Sequence, residues 1–178
     1  MAADLGDHLR AAFRWTDPGD GTGYLVSNRS GWWRDPVILS GLGDALGDLF
    51  RDAAPTVVVS PEVTGFLIGP LVARSLGAGF VEAYRAGARR PIAEPMRWAT
   101  VPSDHRGEEQ RLGVRDGLIT PADRVLVVDD WAATGAQIRA LRELVGDAYV
   151  GAAVIVDECP PGVAADLTIR GLLNGDDL

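Results

Sequence analysis

Apolar positions follow two rhythms along this chain, one of period near 3.6 and one of short unbroken runs. Leu5, Leu9, Ala12 and Phe13 recur at helical spacing and predict an amphipathic helix over 5–13, with Arg10 and Arg14 on its other side. Residues 17–23 are dense in turn formers and predict a surface loop that feeds a short strand at 24–26. Leu42, Leu46, Leu49 and Phe50 mark a second helical face, with Ser40 as its candidate N-cap and an end near Ala54-Pro55. Two strand–helix–strand units follow: strand 56–60, helix 65–76 and strand 80–84, then strand 124–128, helix 134–145 and strand 149–156. Strands that are apolar throughout and alternate with helices imply an α/β fold, a mostly parallel central sheet with helices on both faces. Ligands of such sheets bind beyond the carboxyl ends of the strands, so the loops at 60–65 and 129–135 are where chemistry is expected.

The stretch between the units breaks both rhythms. Residues 86–123 carry four prolines and twelve charged side chains, too polar for a central core element. They predict a long excursion over 86–120 that serves as a lid or binding loop, with a tail at 108–119 able to pair as a strand or two at the sheet edge. The 178 residues otherwise suit one domain spanning 1–178.

Composition narrows the chemistry. All seventeen basic residues are arginine, so a lysine nucleophile, Schiff base or P-loop lysine is excluded. The net charge of −8 argues against a nucleic-acid partner, whose phosphates demand a basic face. Cys159 is the single cysteine, which rules out an intrachain disulfide or a cysteine-rich zinc site and suggests a reducing compartment, the cytoplasm. The first residues lack the basic start of a signal peptide, and no apolar run approaches the about 20 residues of a membrane span.

The most informative stretch is Val125-Leu-Val-Val-Asp-Asp-Trp-Ala-Ala-Thr-Gly135, an apolar strand running into two adjacent carboxylates and then a loop of small residues at a helix start. Small side chains at Ala132, Ala133, Gly135 and Ala136 let backbone N–H groups close around an anion. The helix N-terminus adds its positive dipole end and Thr134 a hydroxyl, which together make a monophosphate cradle. Asp129 and Asp130 can accept hydrogen bonds from vicinal sugar hydroxyls, or hold a hydrated Mg²⁺. A ribose 5-phosphate meets both demands.

This stretch resembles the 5-phosphoribosyl-1-pyrophosphate (PRPP) signature of the type I phosphoribosyltransferases. The run 65–80, then Arg85, Arg89 and Pro91, is similar to the adenine phosphoribosyltransferase branch at the same distance ahead of the PRPP loop. The resemblance covers about residues 30–158. It implies the type I phosphoribosyltransferase fold, with a hood in the N-terminal segment 1–39 and a long flexible loop. It further implies that Ala132 to Gln137 hold the sugar phosphate and that Glu62, Val63, Thr64 and Gly65, with Arg85 and Arg89, meet the pyrophosphate. Thr64 departs from the branch, which carries arginine there, and Gln137 stands where a small hydroxyl residue is usual.

The same resemblance assigns the base to the hood. Trp32-Trp33-Arg34-Asp35 is similar to the stretch that supplies a stacking ring, with Trp33 the aligned ring, although both tryptophans would also serve as core packing. Trp131 is expected near base or ribose. Asp157 and Glu158 follow the last strand, where an acid can read an exocyclic amine or simply sit in solvent at a strand end. Asp104 and His105 lie nearest to the position of a loop acid that handles the base proton, though neither matches cleanly.

The implied activity is Mg²⁺-dependent transfer of the phosphoribosyl group from PRPP to a purine-like base, in a homodimer. A homologue that binds PRPP or a nucleotide without turnover, and an enzyme for a different acceptor base, are the alternatives.

Overall fold

The computed structural model describes residues 2–87, 92–102 and 110–178. Its frame is a seven-stranded sheet of β3 (Val57–Pro61), β4 (Gly79–Arg85), β5 (Met96–Val101), β6 (Gln110–Arg115), β7 (Val125–Ala132), β8 (Tyr149–Asp157) and β9 (Ile169–Asn174), in the order β5-β6-β4-β3-β7-β8-β9. Strands β4, β3, β7, β8 and β9 run parallel, while β6 is antiparallel to both β4 and β5. Two further strands, β1 (Arg14–Thr16) and β2 (Val26–Asn28), form a separate antiparallel pair near the N-terminus.

The alternation of side chains along each strand divides the core in two. Val58, Leu126, Val128, Ala153 and Ile155 face α1 (Ala2–Ala12), α3 (Pro36–Asp48) and α4 (Gly65–Leu76). Val57, Val59, Val125, Val127, Ala152 and Val154 face α5 (Ala136–Val145). The central strands are therefore enclosed on both faces, which is why they read as unbroken apolar runs. Helices α3 and α4 approach closely because Gly43 has no side chain: a Cβ there would lie 2.6 Å from the carbonyl oxygen of Leu71.

Strand order decides where a ligand can sit. The first unit, β3–α4–β4, extends the sheet in one direction from β3, and the second, β7–α5–β8, extends it in the other from β7. The direction of winding reverses between β3 and β7, and the loops that follow these two strands part there. Pairing between the two strands stops at Val59 opposite Val127, while β7 continues beside β8 as far as Ala132.

Several local expectations shift. The third helix starts at Pro36, with Asp35 Oδ1 accepting from the Val37 N–H at 2.8 Å. Ser40 lies inside that helix, where its Oγ donates to the Pro36 carbonyl. An Asp-Pro pair satisfies the cap and first-turn preferences together, which outweighs a serine one turn later. The short early strand forms at 26–28 rather than 24–26.

The excursion contributes more sheet than its polarity suggests. Its tail does pair, as β6, and β5 joins it as the outermost strand. Edge strands need only one apolar face, supplied here by Ala99 and Val101 with Leu112 and Val114. The C-terminal α6 (Pro161–Asp166) and β9 were not anticipated from the pattern of the chain.

The N-terminal segment is anchored by Trp32, on α2 (Ser30–Arg34). Its ring is fully buried against Phe13, and its indole N–H donates to the Leu9 carbonyl at 2.8 Å. A Trp32→Ala change should therefore destabilise the fold by about 3–5 kcal/mol. Urea unfolding followed by far-UV circular dichroism would measure it, and a loss below about 1 kcal/mol would show that Trp32 does not anchor the segment.

Candidate functional site

Asp129 and Asp130 lie at the carboxyl end of β7, each 6% exposed. Asp129 Oδ1 accepts the Asp130 backbone N–H at 2.9 Å. Burial first, and then the charge of Asp130, push the Asp129 carboxyl well above the usual carboxylate range, while the Arg85 guanidinium opposes the shift. Asp130 has a closer cation, with Arg29 Nη1 at 2.5 Å from its Oδ2. Arg29 connects β2 to α2, and sequence reasoning missed it. It is separated from Asp130 by 101 residues, and nothing in its local sequence marks it as functional.

Past the acids the chain turns sharply into α5. Gly135 takes φ +71° and serves as the N-cap of the helix. A Cβ there would also lie 2.8 Å from both Leu167 and Val163, so glycine is required by conformation and by space. Thr134 Oγ1 accepts the Ala136 N–H at 3.3 Å, and the Ala132 carbonyl accepts the Glu158 N–H at 2.8 Å. These bonds pin both sides of a small-residue turn at a helix N-terminus, where N–H groups lack intrahelical partners. Residues 132–138 line a cavity of about 330 Å³ that Asp129, Trp131, Arg85 and Gln110 also border.

The loop after β3 flanks the same crevice. It carries a cis peptide bond between Glu62 and Val63, and the backbone N–H of Glu62 donates to the Ala83 carbonyl at 2.8 Å. Glu62 is buried and accepts the Arg85 backbone N–H at 3.1 Å through Oε2. Val63 is exposed, Thr64 half-buried and Gly65 buried at the start of α4. A Cβ on Gly65 would lie 2.8 Å from Ser60 Cβ.

Arg85 joins the two loops. Its Nε donates to the Glu62 carbonyl at 3.0 Å, its Nη2 to Gln137 Oε1 at 2.9 Å and its Nη1 to Gln110 Oε1 at 2.5 Å. The sequence treats Arg85 and Gln137 as parts of two subsites, whereas the structure links them directly. Gln137, with its oxygen engaged by the guanidinium, retains an amide NH₂ as donor.

The aromatic residues separate by environment. Full burial removes Trp32 from any base-stacking role, because its ring face is already covered by core side chains. Trp33 is half-buried and meets Trp32 edge-on at 6.0 Å, and Arg34 is exposed at the end of α2. Trp131 packs 5.9 Å from Phe13 and 6.2 Å from Trp15, and its indole N–H donates to Glu158 Oε2 at 2.9 Å. Glu158 thus fixes the indole, and Asp157 Oδ1 accepts the Cys159 N–H at 3.0 Å, closing the turn after β8. Burial, then the neighbouring Asp157, raise the Cys159 thiol to about 11, so it stays protonated and is not a nucleophile near neutral pH. Arg89, Asp104 and His105 lie outside the described residues.

Among the described residues, no group of three or more His, Cys, Asp or Glu side chains is placed to hold a metal. The cavity is lined by one carboxylate, Asp129, with Asp130 beside it paired to Arg29, a set that suits a hydrated Mg²⁺ bound chiefly through a substrate's phosphates and does not suit an all-protein metal cage.

No family model matches the chain. It is 32% identical over 171 residues to the adenine phosphoribosyltransferase of Synechococcus sp. (strain RCC307), covering 96% of this chain and 90% of that protein. The adenine phosphoribosyltransferase of Leuconostoc citreum (strain KM20) is 31% identical over 160 residues, covering 88% of this chain and 86% of the relative. The fold matches the crystal structure of the Trypanosoma brucei adenine phosphoribosyltransferase in complex with AMP, pyrophosphate and ribose-5-phosphate, with a TM-score of 0.82, 20% identity, and coverage of 98% of this chain and 81% of that one. The Rhodothermus marinus adenine phosphoribosyltransferase matches with a TM-score of 0.79 and 24% identity over 97% of this chain and 99% of the other. With relatives this similar over nearly its whole length, the chain belongs to the adenine phosphoribosyltransferase family.

Proposed function

We propose that this protein transfers the 5-phosphoribosyl group from PRPP to a purine-like base, most simply adenine, and releases pyrophosphate. The observation that carries the reading is the convergence of Asp129, the small-residue turn at the start of α5 and Arg85 on one cavity at the carboxyl end of β7, with Asp130 next to it in the chain. A ring nitrogen of the base attacks the anomeric carbon as its bond to pyrophosphate breaks, through a state with positive charge on the ribose ring. The chain's contribution is positional and electrostatic. The turn at 132–137 anchors the 5-phosphate, the acids hold the ribose hydroxyls, and Arg85 stands where negative charge collects on the leaving group.

The residues at 62–65 supply backbone and small side chains to that leaving group. With Thr64 in place of an arginine, Arg85 carries the charge there. Mg²⁺ bound to PRPP would neutralise pyrophosphate oxygens, with Asp129 or Asp130 able to hold it through water. In this reading Trp33 and Trp131, both half-buried, offer indole faces for the base, and Arg34, Asp157 and Glu158 supply polar contacts around it. We take the chain as one working domain, 1–178, in which the hood is the segment 1–39 and the excursion 86–120 borders the cavity through Val101, Pro102 and Gln110.

The family's partner is read as a second copy of this chain. Val63 and Leu67 are 69% and 52% exposed beside the pyrophosphate loop, and Val37 and Leu39 are exposed on α3. No helix among the described residues is long and apolar enough to cross a membrane, and with one cysteine in the chain a cytoplasmic site of action is proposed.

The direct test is pyrophosphate release from PRPP and Mg²⁺ across a panel of purine and pyrimidine bases. Release that depends on adenine is the expected result, and Trp33→Ala should raise the KM for the base by more than that for PRPP. Tight PRPP binding without release from any base would instead identify a binding homologue without turnover. Asp129→Asn and Asp130→Asn should each weaken PRPP binding at least about tenfold by calorimetry, since each replaces a carboxyl oxygen that can accept from a ribose hydroxyl with an amide NH₂ that cannot, and unchanged binding would remove the acids from the site. Sedimentation velocity should give twice the chain mass of 18.9 kDa, falling to the monomer in Leu67→Glu; a wild-type monomer would refute the pairing.

A further inference from the structure

The acid pair is served by a cation that the sequence does not announce. Arg29 Nη1 lies 2.5 Å from Asp130 Oδ2, and its side chain is about one-third exposed against 8% for Asp130. The backbone beneath it is fixed on both sides. The Arg29 carbonyl accepts the Trp32 N–H at 3.0 Å, the next residue's N–H is held by Asn28 Oδ1 at 3.1 Å, and Trp32 itself is locked to the Leu9 carbonyl. Gly31 lets this turn sit directly on the end of α1, since a Cβ there would lie 2.2 Å from the Ala12 carbonyl oxygen. The guanidinium is thus carried on a backbone held by hydrogen bonds on both sides.

We propose that Arg29 is a positioning residue for the phosphoribosyl substrate, holding Asp130 in orientation and balancing its charge, and that it thereby couples the hood to the sugar subsite. This rests on the reading of the crevice as a PRPP site. Two adjacent acids beside a phosphate cradle repel an anionic substrate unless cations accompany them. Arg85 acts on Asp129 from the sheet side and Arg29 on Asp130 from the hood side. Arg29 lies at the start of α2, the helix that carries Trp33, so its ion pair ties the hood to Asp130.

The test uses the full-length protein with ribose 5-phosphate as the calorimetric probe, and PRPP with adenine for steady-state kinetics. Arg29→Gln should weaken ribose 5-phosphate binding and raise the KM for PRPP about tenfold each, with less than about threefold change in the KM for adenine. Arg29→Lys, which keeps a charge but loses the planar fork, should recover most of the affinity and serves if the glutamine variant does not fold. Binding within twofold of wild type in both variants would overturn the inference. So would a KM for adenine that rises as much as that for PRPP, since that pattern belongs to a simple staple of the hood. Failure of the wild-type protein to bind ribose 5-phosphate would instead overturn the PRPP reading itself, and the inference with it.

Discussion

Two carboxylates on successive residues of a buried strand impose the constraint from which the rest of this site follows. Asp129 and Asp130 sit where water is scarce and a phosphorylated ligand is proposed to bind, so the charge of the pair has to be limited by burial at Asp129 and shared with hydrogen-bond donors and cations brought from elsewhere. The Asp130 backbone N–H, Arg85 and Arg29 meet that demand. Each comes from a different part of the fold: the strand itself, the neighbouring unit and the N-terminal segment.

The sheet makes such a gathering possible. Winding in opposite directions from β3 and β7 leaves a crevice at their carboxyl ends, with α4 starting on one side and α5 on the other. Arg85, at the end of β4, reaches across this crevice and binds both the Glu62 carbonyl and the Gln137 amide. The loop proposed to meet the leaving group and the loop proposed to hold the sugar phosphate are therefore mechanically joined. Gln137, a departure from the pattern the resemblance sets, lies at one end of this link, and Glu62, two residues before the other departure, Thr64, lies at its other end. The longer amide fits because its oxygen accepts from the Arg85 guanidinium.

The hood shows how aromatic residues of similar appearance divide their work. Trp32 and Trp33 are adjacent in a short helix, so their side chains project about 100° apart and cannot share one environment. One is fully buried and hydrogen-bonded through its indole to Leu9, and the other remains half-buried beside it. Trp131 reaches the same aromatic cluster from β7 and is steadied by Glu158. An acid that reads from sequence as a contact to a base thus has a place in holding a ring.

The chain's own pattern determined the two strand–helix–strand units, the enclosure of the central strands, and the acids, small residues and glycine at 129–136. These depend on side-chain periodicity, local hydrogen bonding and left-handed backbone preference, all of which act over a few residues. Tertiary structure alone decided the order of the strands, the use of β5 and β6 as an edge, the burial of Trp32 in preference to Trp33, and the pairing of Arg29 with Asp130 and of Arg85 with Gln137. Those outcomes are set by which surfaces meet after the chain has folded back across 101 residues in one case and 52 in the other, and no local rule of spacing or propensity encodes such a meeting.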